Sequence, residues 1–115
     1  VLYTGTHDND TIRGWFENWN PKEVAFARKY LGINDEEGIV AGMMRGAATS
    51  VCRTVIYQMQ DILELGNESR MNEPATISGN WQWRMLPGML TKERIRFLYD
   101  LTKMSSRLPE QQSRV

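Results

Sequence analysis

Two segments with strand character are separated in this chain by a long stretch that reads as helix. Residues 1–6 are apolar and β-branched, and residues 53–60 alternate with a period of two. The stretch between them, about 11–52, carries helical patterns throughout. Parallel strands require a long crossover connection that is usually helical. The order therefore predicts a β-α-β unit in a helix-rich α/β fold.

Polar residues mark the starts of three predicted helices within residues 11–52. They are Asp10, Asn20 and Asn34. Asn20 is followed by a proline and then by a glutamate, and Gly32 is placed to end that second helix. The third helix has apolar pairs that recur every four residues up to residue 52. We expect its apolar face to pack against the sheet.

Residues 61–90 lack periodicity and are rich in Asn, Gly, Pro and Trp. A segment of this length without regular structure is often functional in a compact domain, so we interpret it as a binding loop. Within it, Arg70 and Asn72 could bind hydroxyl groups or could simply hold the loop to itself. Thr91 then caps a predicted amphipathic terminal helix, 91–106.

Charge and composition exclude several classes of partner. Fourteen basic residues balance fourteen acidic ones, so no net field favours nucleic acid or an anionic membrane. No stretch approaches the roughly 20 apolar residues of a membrane span. The single cysteine, Cys52, cannot form an internal disulfide. These features favour a cytoplasmic protein that binds a neutral ligand.

A polar cluster, His7-Asp8-Asn9-Asp10, directly follows the first predicted strand. Ligands of parallel sheets gather beyond the carboxyl ends of the strands, where we expect Asp8 and Asp61 to share one rim. In one interpretation the cluster is only a turn with Asp10 as a helix cap. In another, Asp8 stabilises developing positive charge in a cleft while His7 donates a hydrogen bond to a hydroxyl or carbonyl group. A metal site is the weakest interpretation, because the cluster offers only three possible ligands and lacks a metal-binding motif. The sequence also has no nucleotide-binding or nucleophile motif, so we predict no cofactor.

The four tryptophans fall into two pairs. Trp81 and Trp83 project to one side if the chain there is extended, and such a face suits the stacking of sugar rings. A place in the core is the alternative for that pair. Trp15 and Trp19 are spaced i and i+4 on a predicted helix, so we expect both of them in the core.

Five blocks of sequence, taken together and in order, carry a family resemblance. They are Val1–Thr11 (VLYTGTHDNDT), Gly14–Trp15, Gln60–Asp61, Glu68–Pro74 (ESRMNEP) and Gly79–Arg84 (GNWQWR). The chain resembles the 4-α-glucanotransferases, also called amylomaltases or disproportionating enzymes, over nearly its whole length. The first and last blocks are the most specific.

The resemblance implies the C-terminal part of a TIM (β/α)₈ barrel that transfers α-1,4-glucan segments between maltodextrins. Such enzymes retain anomeric configuration through a covalent intermediate formed by a carboxylate nucleophile, with a second carboxyl as acid and base. By similarity, Asp8 is the third carboxylate, which stabilises the transition state, and His7 binds the same sugar. Arg70 and Asn72 match positions near the donor site.

The resemblance also places the nucleophile and the acid/base residue on strands that would precede residue 1, so neither is present here. Two strands in 115 residues cannot close an eight-stranded barrel. We therefore expect a C-terminal fragment of the catalytic domain that is inactive alone. Its uncovered sheet surfaces would favour self-association.

Two other functions stay open at this point. A small carbohydrate-binding or scaffold domain without catalysis could use His7 with Trp81 and Trp83. An α-amylase-type hydrolase also carries a His-Asp pair after a late barrel strand, although residues 80–84 argue against it.

Overall fold

A short parallel sheet joins the start of the chain to a segment near its middle. The computed structural model describes residues 1–109. Strand β1 (Leu2–Tyr3) pairs in parallel with strand β2 (Val55–Ile56), with Leu2 opposite Val55. The intervening segment is helical, as a parallel pair requires. The chain therefore has the expected helix-rich α/β arrangement.

Both strands are shorter than the predicted ranges 1–6 and 53–60. After β2 the chain turns, and helix α4 (Met59–Ile62) occupies residues that the period-two pattern placed in a strand. The Gln58 carbonyl accepts the N–H of Asp61 at 3.0 Å, which closes the first turn of α4. The alternation therefore predicted a strand for a segment that turns into a helix.

Helix α1 (Ile12–Asn18) begins one residue later than the sequence suggested. Its cap is Thr11, whose Oγ1 accepts the N–H of Gly14 at 3.1 Å. The prediction of Asp10 as the cap is wrong, because the Asp10 carboxylate instead receives a hydrogen bond from Arg70 at 2.7 Å. Two adjacent residues could cap this helix, and a distant cation decides between them.

The start and end signals of the second helix act as predicted. Helix α2 (Pro21–Leu31) has Asn20 as its cap, and the Asn20 side chain accepts the N–H of Lys22 at 2.9 Å. Gly32 ends the helix with φ 64°, a left-handed conformation that glycine adopts without steric cost.

Helix α3 (Ile39–Ala48) is shorter at both ends than the predicted helix. Asn34 does not cap it. Its side chain closes a separate turn by accepting the N–H of Glu37 at 2.8 Å, and Gly38 precedes the helix with φ 84°. Past its end, the Arg107 guanidinium donates to four backbone carbonyls of this region, those of Ala48, Ser50, Cys52 and Arg53. These bonds satisfy the segment that leads into β2.

The core lies between α1, α3 and α4. Its central buried side chains are Ile12, Val40, Met44 and Ile62, and Met44 is fully enclosed. Helix α5 (Lys92–Met104), capped by Thr91, packs Phe97, Leu98 and Leu101 against this cluster. The expected packing of the third helix against the sheet is therefore replaced by packing against other helices, and burial of this apolar surface is the main force that holds the helices together.

The predicted core position of the first tryptophan pair is wrong, because neither Trp15 nor Trp19 belongs to the buried core. Trp15 is half-buried beside Phe16, with the two rings edge to face at 5.0 Å. Trp19 is 52% exposed, and its indole N–H donates to Glu23. The i, i+4 spacing predicted that both tryptophans share one face of α1, but it did not show how far the buried core extends along that face.

The predicted binding loop, 61–90, begins in α4 and contains a 3₁₀ turn at Asn67–Ser69. The rest of it has no helix or strand. Among residues 1–109, no helix has both the length and the apolar character needed to span a membrane.

Candidate functional site

The candidate site is built on a tight turn between Thr6 and Asn9, a short distance beyond the end of β1. Asn9 Oδ1 accepts the Thr6 N–H at 2.8 Å and the Thr6 hydroxyl at 2.9 Å. The Asn9 N–H donates to the Thr6 carbonyl at 3.0 Å. These three bonds fix the backbone between the two residues. The Asp8 side chain is thereby presented at the carboxyl end of the strand.

Asp8, His7 and Asn72 come together at this turn. Asn72 Nδ2 donates to Asp8 Oδ1 at 2.6 Å, across 64 residues of sequence. His7 Nε2 lies 3.2 Å from Asp8 Oδ2, and the side chains of His7 and Asp8 are 53% and 50% exposed. Each carboxylate oxygen therefore has one protein partner and remaining capacity to accept hydrogen bonds from a ligand.

Arg70 holds the turn from its inner side. Its Nη1 donates to Asp10 Oδ1 at 2.7 Å, and its Nη2 donates to the backbone carbonyl of Asp8 at 3.0 Å. The Arg70 and Asp10 side chains are only 16% and 22% exposed, so the pair is shielded from solvent. The guanidinium thus contacts the residues on both sides of Asn9, the Asp8 backbone and the Asp10 side chain.

A second carboxylate, Asp61, lies buried beneath the turn with 1% of its surface exposed. Its Oδ1 accepts the Ile12 N–H at 2.8 Å, and its Oδ2 accepts the Thr4 hydroxyl at 3.0 Å and the Gln58 amide at 3.1 Å. Burial raises the pKa of the Asp61 carboxyl above its usual value, while the three hydrogen bonds act in the opposite direction. Asp61, itself in α4, therefore joins the residue after β1 to the start of α1.

The buried junction continues at the start of α1. Asn67 Oδ1 accepts the Thr11 N–H at 3.1 Å. Gly14 lies so close to the Asn67 amide that a side chain at Gly14 would collide with it. Glycine is therefore required here by close approach.

A cleft of about 680 Å³ opens beside the turn. Asp8 and Asp10 line it together with three aromatic side chains, those of Tyr3, Trp15 and Trp19. Acidic groups beside aromatic surface suit a ligand that has both hydroxyl groups and apolar faces.

The second tryptophan pair does not lie on one extended face, so that expectation is wrong. Trp81 has φ 61°, which breaks the alternation that extended chain would give. The Trp81 indole lies against the His7 ring, with centroids 4.9 Å apart and an interplanar angle of 41°. Trp83 is half-buried. Only Trp81 is thus seen in contact with the His7-Asp8 turn.

Two features of the site were not predicted from the sequence, the Asp10–Arg70 pair and the Trp81–His7 contact, and no local signal pointed to them. Asp61 was expected on the same rim as Asp8, but it is enclosed beneath the turn. Within the part of the chain that the structure describes, no group of three His, Cys, Asp or Glu side chains is arranged to hold a metal ion.

The half-exposed Asp8 carboxylate, flanked by an imidazole and an amide, thus lies beyond the carboxyl end of a parallel strand, where α/β sheets bind their ligands. The family model described as 4-alpha-glucanotransferase matches residues 1–91. The chain therefore belongs to the 4-alpha-glucanotransferase family, as its sequence blocks indicated.

Individual relatives agree with this assignment. A 4-alpha-glucanotransferase of Clostridium butyricum is 47% identical over 108 residues, which cover 93% of this chain and 22% of the relative. The chloroplastic/amyloplastic 4-alpha-glucanotransferase of Solanum tuberosum is 54% identical over 85 residues, covering 74% of this chain and 15% of the relative. The chain thus spans about a fifth or less of the length of these curated relatives.

A solved structure gives the same result. The structure described as amylomaltase from Streptococcus agalactiae in complex with acarbose is 42% identical to this chain. It superposes with a TM-score of 0.89 over 93% of this chain and 22% of that one. The two proteins share a fold over the matched region.

Proposed function

We propose that this chain contributes the transition-state-stabilising carboxylate and part of the sugar-binding surface to an enzyme that transfers α-1,4-glucan segments between maltodextrins. The carrying observation is the Asp8 carboxylate, half-exposed and held by Asn72 at 2.6 Å beside His7 at 3.2 Å. A negative charge fixed in advance stabilises the positive charge that develops on a sugar ring as its glycosidic bond breaks. Membership of the 4-alpha-glucanotransferase family supports this reaction.

We infer that β1 and β2 are neighbouring strands near the C-terminal end of a (β/α)₈ barrel. Two observations support a place in a barrel: the parallel pairing across a helical crossover and the likeness to an amylomaltase over 22% of that protein's length. The position near the C-terminal end rests on the sequence resemblance. Barrel enzymes place their catalytic residues in the loops at the carboxyl ends of the strands, which is where Asp8 lies relative to β1.

The nucleophile and the acid/base residue are proposed to come from barrel strands outside this chain. Retaining transfer requires two carboxyl groups about 5 Å apart, one of which attacks the sugar while the other protonates the leaving oxygen. Asp10 accepts a hydrogen bond from Arg70, and Asp61 is enclosed beneath the turn, so neither carboxylate suits these roles. By itself the chain should therefore not transfer glucan.

His7 and Asn72 are proposed to donate hydrogen bonds to sugar hydroxyls, since each contacts the Asp8 carboxylate. For Arg70, whose sequence match lies near the donor site, we propose a positioning role through Asp10 and the Asp8 carbonyl. An oligosaccharide ligand is supported by the amylomaltase neighbour, which was solved in complex with acarbose.

The direct test is maltotriose disproportionation by the protein expressed from its complete reading frame. Replacing Asp8 with Asn keeps the shape but removes the charge, and we expect kcat to fall about 10²- to 10³-fold, as when other preorganised electrostatic groups are removed. Asp35→Asn is the matched control, because the Asp35 side chain is 99% exposed in the turn between α2 and α3. Full activity in Asp8→Asn would overturn the assigned role. Glucose release by residues 1–115 alone would overturn the proposed origin of the other two carboxyl groups.

The alternative of a carbohydrate-binding or scaffold domain without catalysis is not favoured by the comparisons. Self-association of the isolated chain stays a prediction, and it draws on exposed apolar side chains of the sheet, Tyr3 at 51% and Ile56 at 43%. Light scattering after size exclusion tests it, and a monomer at all concentrations would refute it. Cytoplasmic localisation also stays a prediction, because the Solanum tuberosum relative is described as chloroplastic/amyloplastic.

A further inference from the structure

Trp81 occupies a backbone conformation that a bulky residue rarely adopts. Its φ of 61° lies in the left-handed region, where a side chain is strained. Two hydrogen bonds hold it there: the Trp81 N–H donates to the Met71 carbonyl, and Arg84 Nη1 donates to the Trp81 carbonyl at 3.1 Å. Strain of this kind persists when surrounding contacts impose it, and it concentrates at functional sites.

The strained conformation has a clear consequence for the position of the indole. It lies against His7 at 4.9 Å and remains 52% exposed, so core burial does not explain it. The loop that carries it is joined to the site one residue beyond Met71, where Asn72 donates to Asp8 at 2.6 Å. A flat apolar surface therefore adjoins the exposed carboxylate.

We propose that the Trp81 indole is a specificity-determining surface on which a hexose ring stacks next to the ring bound at Asp8. This inference rests on the proposed function. A hexose has a face of C–H groups that packs on an aromatic plane, while its hydroxyl groups project outward toward hydrogen-bonding partners. Trp81 supplies the plane, and His7, Asp8 and Asn72 supply polar groups beside it.

Substitutions at position 81 can separate the ring from the strained backbone. Trp81→Gly removes the indole and adopts a positive φ without steric strain, so the variant should still fold. Trp81→Phe keeps a smaller aromatic plane. We expect Trp81→Gly to raise KM for maltotriose by about 3- to 10-fold, the range of one lost aromatic contact, with a smaller rise for Trp81→Phe. Phe26→Ala on α2 is the control, since Phe26 is 67% exposed outside the site.

Binding is read independently by calorimetric titration with maltoheptaose. The Kd should rise by a similar factor in Trp81→Gly and should stay near that of the parent in Phe26→Ala. An unchanged KM or an unchanged Kd in Trp81→Gly would overturn the stacking role, while parental transfer activity would leave the proposed function intact. A parent protein without glucan transfer would instead overturn the proposed function and this inference with it.

Discussion

Two carboxylates, Asp61 and Asp8, each connect the start of the chain to the region after β2, yet their surroundings differ sharply. Asp61 is 1% exposed and accepts three hydrogen bonds from within the fold. The Asp8 side chain is 50% exposed and has one close partner on each oxygen. An enclosed and fully satisfied carboxylate can only hold structure together, whereas an exposed one with free acceptor capacity can also meet a ligand. Burial therefore assigns different roles to the same chemical group.

Replacing Asp61 with Ala should have the largest effect on stability. The change leaves the Ile12 N–H, the Thr4 hydroxyl and the Gln58 amide without their acceptor, and buried unsatisfied donors should cost about 3 kcal/mol in total. Urea unfolding of the protein expressed from its complete reading frame measures the loss. Asp8→Ala is the comparison, with an expected change within about 0.5 kcal/mol because the site is open to solvent. Equal losses in the two variants would break the distinction between the carboxylates.

Gly14→Ala should cause the second largest loss of stability, because the added methyl group disturbs the same buried junction from the side of α1. Alanine normally stabilises a helix interior relative to glycine, but a Cβ at Gly14 would collide with the Asn67 amide that accepts the Thr11 N–H. We expect a loss of about 2 kcal/mol from this overpacking.

The control for that substitution is Gly46→Ala in α3. There the added Cβ meets only the end of the flexible Leu31 side chain, at 2.8 Å. Its loss of stability should be clearly smaller than that of Gly14→Ala. A gain in stability for Gly14→Ala would show that the contact with Asn67 relaxes easily.

Asp61→Asn gives a smaller effect that depends on pH. Burial raises the folded-state pKa of Asp61 above its ordinary value of 3.8, so folding favours the protonated form. The stability contributed by this proton is complete below the unfolded-state pKa and is lost as pH rises through the folded-state pKa. Asparagine cannot titrate. The stability of the parent relative to Asp61→Asn should therefore be greatest below pH 3.8 and should decline as pH rises above it, as followed by urea unfolding across that range. A difference that grows with pH would contradict the sign.

Local signals predicted the parts of the fold that neighbouring residues decide. Asn20 with Pro21 and Gly32 bound α2 correctly, because a cap and a left-handed glycine act within one turn of the helix. The sequence could not show that Thr11 caps α1 in place of Asp10. The residue that binds the Asp10 carboxylate, Arg70, lies 60 residues further along the chain. Period two likewise could not show that the strand ends at Ile56.

The candidate site divides in the same way. His7 and Asp8 stood out as a polar cluster after an apolar segment, and the family resemblance gave them roles. The contact of Trp81 with His7 depends on a positive φ that nothing in the GNWQWR block predicts. Trp19 lines the cleft although its helical spacing suggested the core. Patterns locate surfaces, but long-range contacts decide which surfaces stay exposed.

Asn72→Ala should change stability least while still changing function, which sharpens the contrast with Asp61. The Asn72–Asp8 bond is exposed, so its loss should alter the free energy of unfolding by less than about 0.5 kcal/mol. In the reaction the same bond orients a charged group, and its loss should lower kcat/KM for maltotriose about tenfold, in line with one hydrogen bond to a charged group. Asn18→Ala, a substitution at the exposed end of α1, controls for the loss of an asparagine amide elsewhere. A stability loss at position 72 as large as that of Asp61→Ala, with unchanged kcat/KM, would mean that the exposed carboxylate is held for the fold and not for a ligand.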